Sequence, residues 1–176
     1  MSGHNKWSKV KHKKAATDAV KSKEFSKFAR LITLESKKAS GNTESPGLRA
    51  IIERARGINM PNTNIERAVA KGTDKDSATL EEVIYEAYGP GGTALLIHGL
   101  TDNKNRTTAE VKHILSESGA SFGEQGSASW AFEKNEGGWT AKITVPLENE
   151  EGAKLDILVE KLKEHDDVQA VYINAA

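Results

Sequence analysis

Val83-Ile84-Tyr85-Glu86-Ala87-Tyr88-Gly89-Pro90-Gly91-Gly92-Thr93-Ala94-Leu95-Leu96-Ile97-His98 is the stretch on which the fold turns. Residues 83–88 and 94–98 are short, largely apolar runs in which the period changes from helical to strand-like. Between them, Gly89-Pro90-Gly91-Gly92 supplies residues that permit unusual backbone angles, so the stretch reads as two strands joined by a turn. It joins two strands and lacks the Lys-Ser/Thr of a P-loop, so it is no phosphate-cradling loop by pattern.

Upstream the apolar period is helical. Ala16, Ala19, Val20, Phe28, Leu31, Ile32 and Leu34 recur near three- and four-residue spacing from Lys14 to about Lys38, and Ser40-Gly41-Asn42-Thr43 ends that helix. A second helix is expected from Ser45-Pro46, with Ser as cap and Pro in the first turn, through Leu48, Ile51, Ile52 and Ala55. Thr63 and Glu66 have capping-box spacing for a third, which stops at Gly72. Three helices with one apolar stripe each make a small bundle.

Downstream, Thr107 and Glu110 form a second capping-box pair ahead of a helix with Val111, Ile114 and Leu115 inward. Alternation at Ala128, Trp130 and Phe132, and again at Trp139, Ala141, Ile143 and Val145, gives two strands joined by Asn135-Glu136-Gly137-Gly138. Leu155, Leu158, Val159 and Leu162 are a helical stripe, and residues 168–173 close the chain as a strand. With the strand at 83–88 set aside as an extra N-terminal one, the order β-α-β-β-α-β is that of a ferredoxin-like α+β domain. The expected organisation is a basic arm at 1–14, a basic three-helix domain at 15–72, a linker at 73–80 and an acidic ferredoxin-like domain at 81–176.

Charge divides along the same line. The 176 residues hold 25 Lys+Arg and 25 Asp+Glu. Residues 1–72 carry 16 of the basic and 6 of the acidic side chains, net +10, which leaves net −10 on the remainder. Such asymmetry points to a basic interaction module fused to something of different purpose. Zero cysteines exclude disulfides, Cys-ligated zinc, iron–sulfur clusters and thiol nucleophiles. No apolar run approaches the ~20 residues of a membrane span. The expected location is the cytoplasm, with no membrane partner.

The strongest candidate site is cationic. Lys6, Lys9, Lys11, Lys13, Lys14, Lys21, Lys23, Lys27 and Arg30 stand against Asp18 and Glu24 in residues 1–30, with His4, Trp7 and His12 interleaved. Lysine-rich surface follows phosphate charge, and an exposed Trp stacks on a base. A solvated helix face is the plain alternative. His4 and His12 have no cysteine or acidic residue between them, so a metal site lacks ligands and geometry.

A second candidate is Asp102-Asn103-Lys104-Asn105-Arg106, which leads from a strand end into a helix N-terminus, where free N–H groups attract anions. It reads as a binding surface or as structural capping; Asp102 lacks a second carboxylate, nucleophile or metal set beside it for catalysis. An enzyme using Asp102 with His98 or His113 is the rival of a different class, and a protein adaptor working through the acidic domain is a third reading. Trp130, Phe132 and Trp139 make a possible base-stacking sheet, yet without an RNP1 pattern they read rather as a buried sheet face. His98, His113 and His165 read as local hydrogen-bonding residues. No catalytic residue, metal, cofactor or small-molecule substrate is expected.

Taken together, Gly3-His4-Asn5-Lys6-Trp7 with Lys11-His12-Lys13-Lys14, residues 59–68 (Asn59-Met60-Pro61-Asn62 through Ala68), Lys71-Gly72-Thr73, Tyr85-Glu86-Ala87-Tyr88-Gly89-Pro90-Gly91-Gly92, residues 100–111, Gly126-Ser127 with Phe132-Glu133, and Asp166-Asp167-Val168-Gln169-Ala170-Val171-Tyr172 resemble the YebC/PmpR family. The resemblance covers nearly the whole chain in order. It implies a cytoplasmic, non-enzymatic, probable DNA-binding transcriptional regulator. Relatives that include a mitochondrial translational activator imply instead a factor acting on the ribosome and on synthesis of difficult peptide stretches, with ribosomal RNA as partner. By the same resemblance Lys6, Trp7, Lys9, Lys11, His12, Lys13 and Lys14 take the nucleic-acid-contacting role, and residues 102–106 align with a second-domain loop. Family members carry a third α/β domain after the strand at 127–134. Here that interval is the hairpin turn 135–138, so the insert is expected to be absent.

Overall fold

In the computed structural model of the chain the described residues are 18–176, and they form two compact units, one ending at Glu81 and one spanning residues 82–176. The arm at 1–14 and Ala16 lie outside the described residues. The architecture is α+β, three helices followed by an antiparallel sheet with two helices.

The first unit consists of α1 (Asp18–Lys38), α2 (Pro46–Gly57) and α3 (Asn62–Thr73). Ile32, Leu48, Ile52, Ala55, Met60, Ile65 and Ala68 form its buried core. Ser45 is the N-cap of α2 and Pro46 its first residue, as the sequence indicates, but the Ser45 hydroxyl makes no cap hydrogen bond. Asn59 takes a left-handed φ of 63°, and the Met60 N–H then reaches back 3.0 Å to the Ala55 carbonyl, which closes α2. Pro61 caps α3, so Thr63 and Glu66 sit inside the helix and form no capping box.

The stripe on α1 is narrower than its sequence suggests: Val20 is 47% exposed, and the contact with α3 runs through hydroxyls. Thr33 Oγ1 lies 2.8 Å from the Ala29 carbonyl and 3.1 Å from that of Ala68, and Ser36 Oγ donates to the Val69 carbonyl at 2.7 Å. Gly72 makes this approach possible, because a Cβ there would come within 2.6 Å of both the Thr33 carbonyl oxygen and Ser36 Cβ. Its sequence role as a helix stop is therefore corrected. The helix continues to Thr73, and the glycine is needed for close packing. The linker segment packs on the same unit: Lys37 Nζ donates to Thr79 Oγ1 at 3.0 Å and Ser77 Oγ to the Lys71 carbonyl at 2.9 Å.

The second region contains β1 (Glu81–Tyr88), β2 (Ala94–Thr101), α4 (Lys104–Glu117), β3 (Ser121–Gly123), β4 (Phe132–Asn135), β5 (Gly138–Ala141), α5 (Asn149–Glu164) and β6 (Val168–Ile173). Four strands form one sheet in the order β3-β1-β2-β6. Glu86 pairs with Gly123 and Tyr88 with Ser121, while Leu95 pairs with Ile173 and Ile97 with Val171, all antiparallel. Period-two alternation assigns the faces. Val83, Tyr85, Ala87, Leu95 and Ile97 meet Val111 and Leu115 of α4 and Leu155, Leu158, Val159 and Leu162 of α5. Each such fully buried aliphatic contributes roughly 1.5–3 kcal/mol of burial. Ala94 and Leu96 face the other way, onto Ala128, Ala131 and Phe132.

Strand by strand, this differs from the sequence expectation. The strand at 83–88, set aside as extra, is interior to the sheet. The hairpin of β4 and β5 forms its own two-stranded sheet over the opposite face. Residues 129–131 are a single tight turn and not strand, so Trp130 is 50% exposed where a buried aromatic face was expected. Phe132 is buried and Trp139 half-buried. Strand β5 stops at Ala141 and leaves Ile143 47% exposed.

Glu86 ties the hairpin region to the sheet. Its carboxylate, 6% exposed, accepts N–H bonds from Gly126 at 2.6 Å, Ala128 at 2.6 Å and Ser129 at 2.7 Å. Gly126, at φ 88°, turns the chain so that these amides converge. Burial pushes the Glu86 carboxyl up, but the backbone donors outweigh it and hold it below the usual carboxylate value.

Candidate nucleic-acid interface

The arm residues Lys6, Trp7, Lys9, Lys11, His12, Lys13 and Lys14, with His4, lie outside the described residues. Of the remaining expected cations, Lys21, Lys23 and Lys27 are on α1. Lys23, Lys27 and Arg30 follow i, i+4, i+7 spacing on the side of the helix away from Ile32. Lys21 and Lys23 are exposed, and Lys27 and Arg30 are half-buried. Arg54 of α2 stacks over Phe28 at 5.5 Å, a contact that sequence spacing did not signal.

The 102–106 loop is built as a cap. Asn103, and not Thr107, begins α4: its Oδ1 accepts the Arg106 N–H at 3.1 Å. Thr107 is fully buried instead and belongs to a chain of hydrogen bonds. The Asn103 N–H donates to Thr101 Oγ1 at 2.9 Å, Thr101 and Thr107 Oγ1 are 2.7 Å apart, and Thr107 Oγ1 donates to Asp167 Oδ2 at 2.6 Å. Arg106 Nη2 reaches Asp102 at 2.8 Å and Asp167 at 3.2 Å. These bonds, first to Asp102 and then to Asp167, raise the Arg106 pKa above its ordinary value and keep the guanidinium charged. Arg106 is thus paired with carboxylates while it remains exposed, as are Lys104 and Asn105.

Asp167, 2% exposed, is the residue that sequence reading missed as part of this site. It stands next to β6 and joins two motifs some 60 residues apart, a contact invisible to local spacing. His165 Nδ1 accepts the Asp167 N–H at 3.1 Å, which leaves Nε2 to donate to Glu110 at 2.6 Å. Glu110, His165 and Asp167 present ligand-type atoms within 4.8 Å of one another. Asp167 Oδ2 also accepts from Arg106 and Thr107, so the group is part of a hydrogen-bonded network. His98 pairs with Glu82 at 2.8 Å and His113 with Glu117 at 3.4 Å, while Asp102 pairs with Arg106. The Asp102–histidine dyad of the enzyme reading is not assembled.

The fold and site define a class: a modular α+β protein in which a cation-bearing helical unit precedes an acidic sheet unit with an internally braced helix cap. Residues 5–75 match the TACO1/YebC protein N-terminal domain, and residues 80–137 match the TACO1/YebC second and third domain. A "probable transcriptional regulatory protein" of Thermosipho africanus is 45% identical over 179 residues, covering 97% of this chain and 69% of the relative. One of the same name in Fervidobacterium nodosum is 52% identical over 136 residues, 76% of this chain and 54% of the relative's length. The crystal structure of a conserved hypothetical protein from Aquifex aeolicus superposes with a TM-score of 0.86 at 32% identity, covering 95% of each chain. The chain belongs to the TACO1/YebC family. The second match ends at residue 137, inside the β4–β5 turn.

Proposed function

We propose that this protein is a non-enzymatic regulator of gene expression that binds nucleic acid through its basic N-terminal region, in the cytoplasm. The observation that carries the reading is the segregation of charge: net +10 on residues 1–72 and net −10 on the rest. Lys6, Trp7, Lys9, Lys11, His12, Lys13 and Lys14 would follow the phosphates, with Lys21, Lys23 and Lys27 extending the track along α1. Relatives named probable transcriptional regulatory proteins favour DNA as the target.

A second reading rests on Trp7 among lysines, a combination suited to unstacked bases in ribosomal RNA. On this reading the protein is a ribosome-bound translation factor that assists synthesis of difficult peptide stretches. Of the 102–106 loop, Lys104 and Asn105 are the groups open to a second contact, since Asp102, Asn103 and Arg106 serve the cap.

Co-sedimentation with ribosomes, set against DNA shift assays at matched salt, separates the two. Retention on ribosomes without a DNA shift selects the translation reading, and the reverse selects transcription. Binding to neither RNA nor DNA at about 100 mM salt removes both.

A further inference from the structure

An edge of the sheet is left open beside a cleft. Strand β1 has eight residues, but β3 pairs only with Glu86, Ala87 and Tyr88. Beyond Gly123 the ladder ends, with Glu124 and Gln125 bordering the cleft, so no strand among the described residues pairs with 82–85 on that edge. A cleft of about 850 Å³ opens there, bordered by Glu82, Val83, Ile84 and Tyr85. Unpaired strand edges are templates for another chain, and folded proteins normally cover or blunt them.

The two walls of this cleft differ. On the helix side, Lys104, Thr108 and Lys112 follow each other at four-residue spacing along α4, and Lys112 Nζ sits 4.8 Å over the 37%-exposed ring of Phe122. On the other side, Ile84 is 43% exposed between Glu82, bonded to His98, and Glu86, bonded to backbone amides. Lys134 and Glu124 stand at the rim with opposite charges.

We propose that the open edge of β1 takes up an extended acidic segment of a partner protein as an added strand. Backbone groups of residues 82–85 supply the ladder, alternate acidic side chains meet Lys104 and Lys112, and the intervening apolar ones meet Ile84. A polynucleotide lacks the alternating donors and acceptors of a strand. A second copy of this chain, paired edge to edge about a two-fold axis, would set Lys104 and Lys112 against their own copies.

The test titrates the full chain with a synthetic peptide of alternating Asp and Val, about six residues long, and follows binding and amide hydrogen exchange. The expected result is slowed exchange across residues 82–85 and binding at least about tenfold tighter than for the Lys-Val counterpart. N-methylation of alternate peptide amides should abolish binding, and K104E/K112E should reverse the charge preference. The Asp-for-Lys swap in the peptide needs no protein variant, so misfolding of K104E/K112E cannot obscure the outcome. Equal affinity for both peptides, unchanged exchange at 82–85, protection of that segment by single-stranded RNA, or its protection by dimerisation without peptide would each overturn the proposal.

Discussion

The helical unit and the sheet unit treat charge in opposite ways. In the helical unit the buried polar side chains are hydroxyls, Thr33 and Ser36, which donate to helix carbonyls, while none of its described cations is fully buried. In the sheet unit two acidic residues are buried, Glu86 and Asp167, and both act as acceptors for donors far away in sequence. Asn174, 1% exposed, does similar work: its Oδ1 accepts the Ala94 N–H at 2.7 Å and its Nδ2 donates to the Ile143 carbonyl at 3.0 Å. The difference shows that the net −10 of residues 73–176 is not all surface. Part of it braces connections that regular secondary structure leaves unpaired.

The largest stability loss is expected at Glu86, where three backbone N–H groups share one carboxylate. Glu86→Ala strands three buried N–H groups and should cost about 3 kcal/mol or more, read by chemical denaturation. Because its folded pKa is depressed, the stability it contributes is present above the ordinary carboxylate value and lost as pH falls through the folded one. The variant should therefore lose less stability than the parent on acidification from neutral pH. An equal acid loss in both would show that the Glu86 carboxyl does not titrate below the ordinary carboxylate value.

In the helical unit the comparable position is Gly72, where added volume meets backbone. Gly72→Ala should destabilise by roughly 1–3 kcal/mol, and a Tm within a degree of the parent would show that α1 and α3 can separate at little cost. Two caps then sharpen the contrast at lower magnitude. Asn103→Ala removes a cap bond that exists and should cost about 1 kcal/mol. Ser45→Ala removes a hydroxyl that caps nothing and should fall within about 0.5 kcal/mol of the parent. Equal effects at the two positions would mean that these cap geometries do not govern helix stability here.

Local pattern carried the helices and failed at their junctions. Leu48, Ile52 and Ala55, or Leu155, Leu158 and Leu162, announce a buried face through spacing alone. Thr63 with Glu66 and Thr107 with Glu110 have the right spacing for caps, yet Pro61 and Asn103 begin those helices. At α4 Thr107 is drawn inward to Asp167, a tertiary partner that overrides the local preference. Strands 83–88, 94–98 and 168–173 were legible as strands, whereas which of them pair was not. Strand β3 is only three residues long and β6 returns from the far end of the chain, so pairing had to be inferred from order. Trp130 illustrates the limit: its indole N–H reaches the Ser127 carbonyl at 2.8 Å and Tyr88 Oη at 3.0 Å while half its surface stays exposed, and alternation cannot distinguish that from burial. For the candidate site, the cations were readable from composition. The commitment of Arg106 to two carboxylates was not, because Asp167 reaches it only through the fold.

A phosphate-binding surface in the basic N-terminal region shows itself in the salt dependence of nucleic-acid binding. The full chain should bind RNA or DNA with a slope of log K against log salt of about −4 to −5, as for roughly five phosphate contacts. Replacing Lys9, Lys11, Lys13 and Lys14 by Ala should weaken binding to all sequences alike and flatten that slope. Unchanged affinity and slope in the quadruple variant would show that the arm does not hold phosphates.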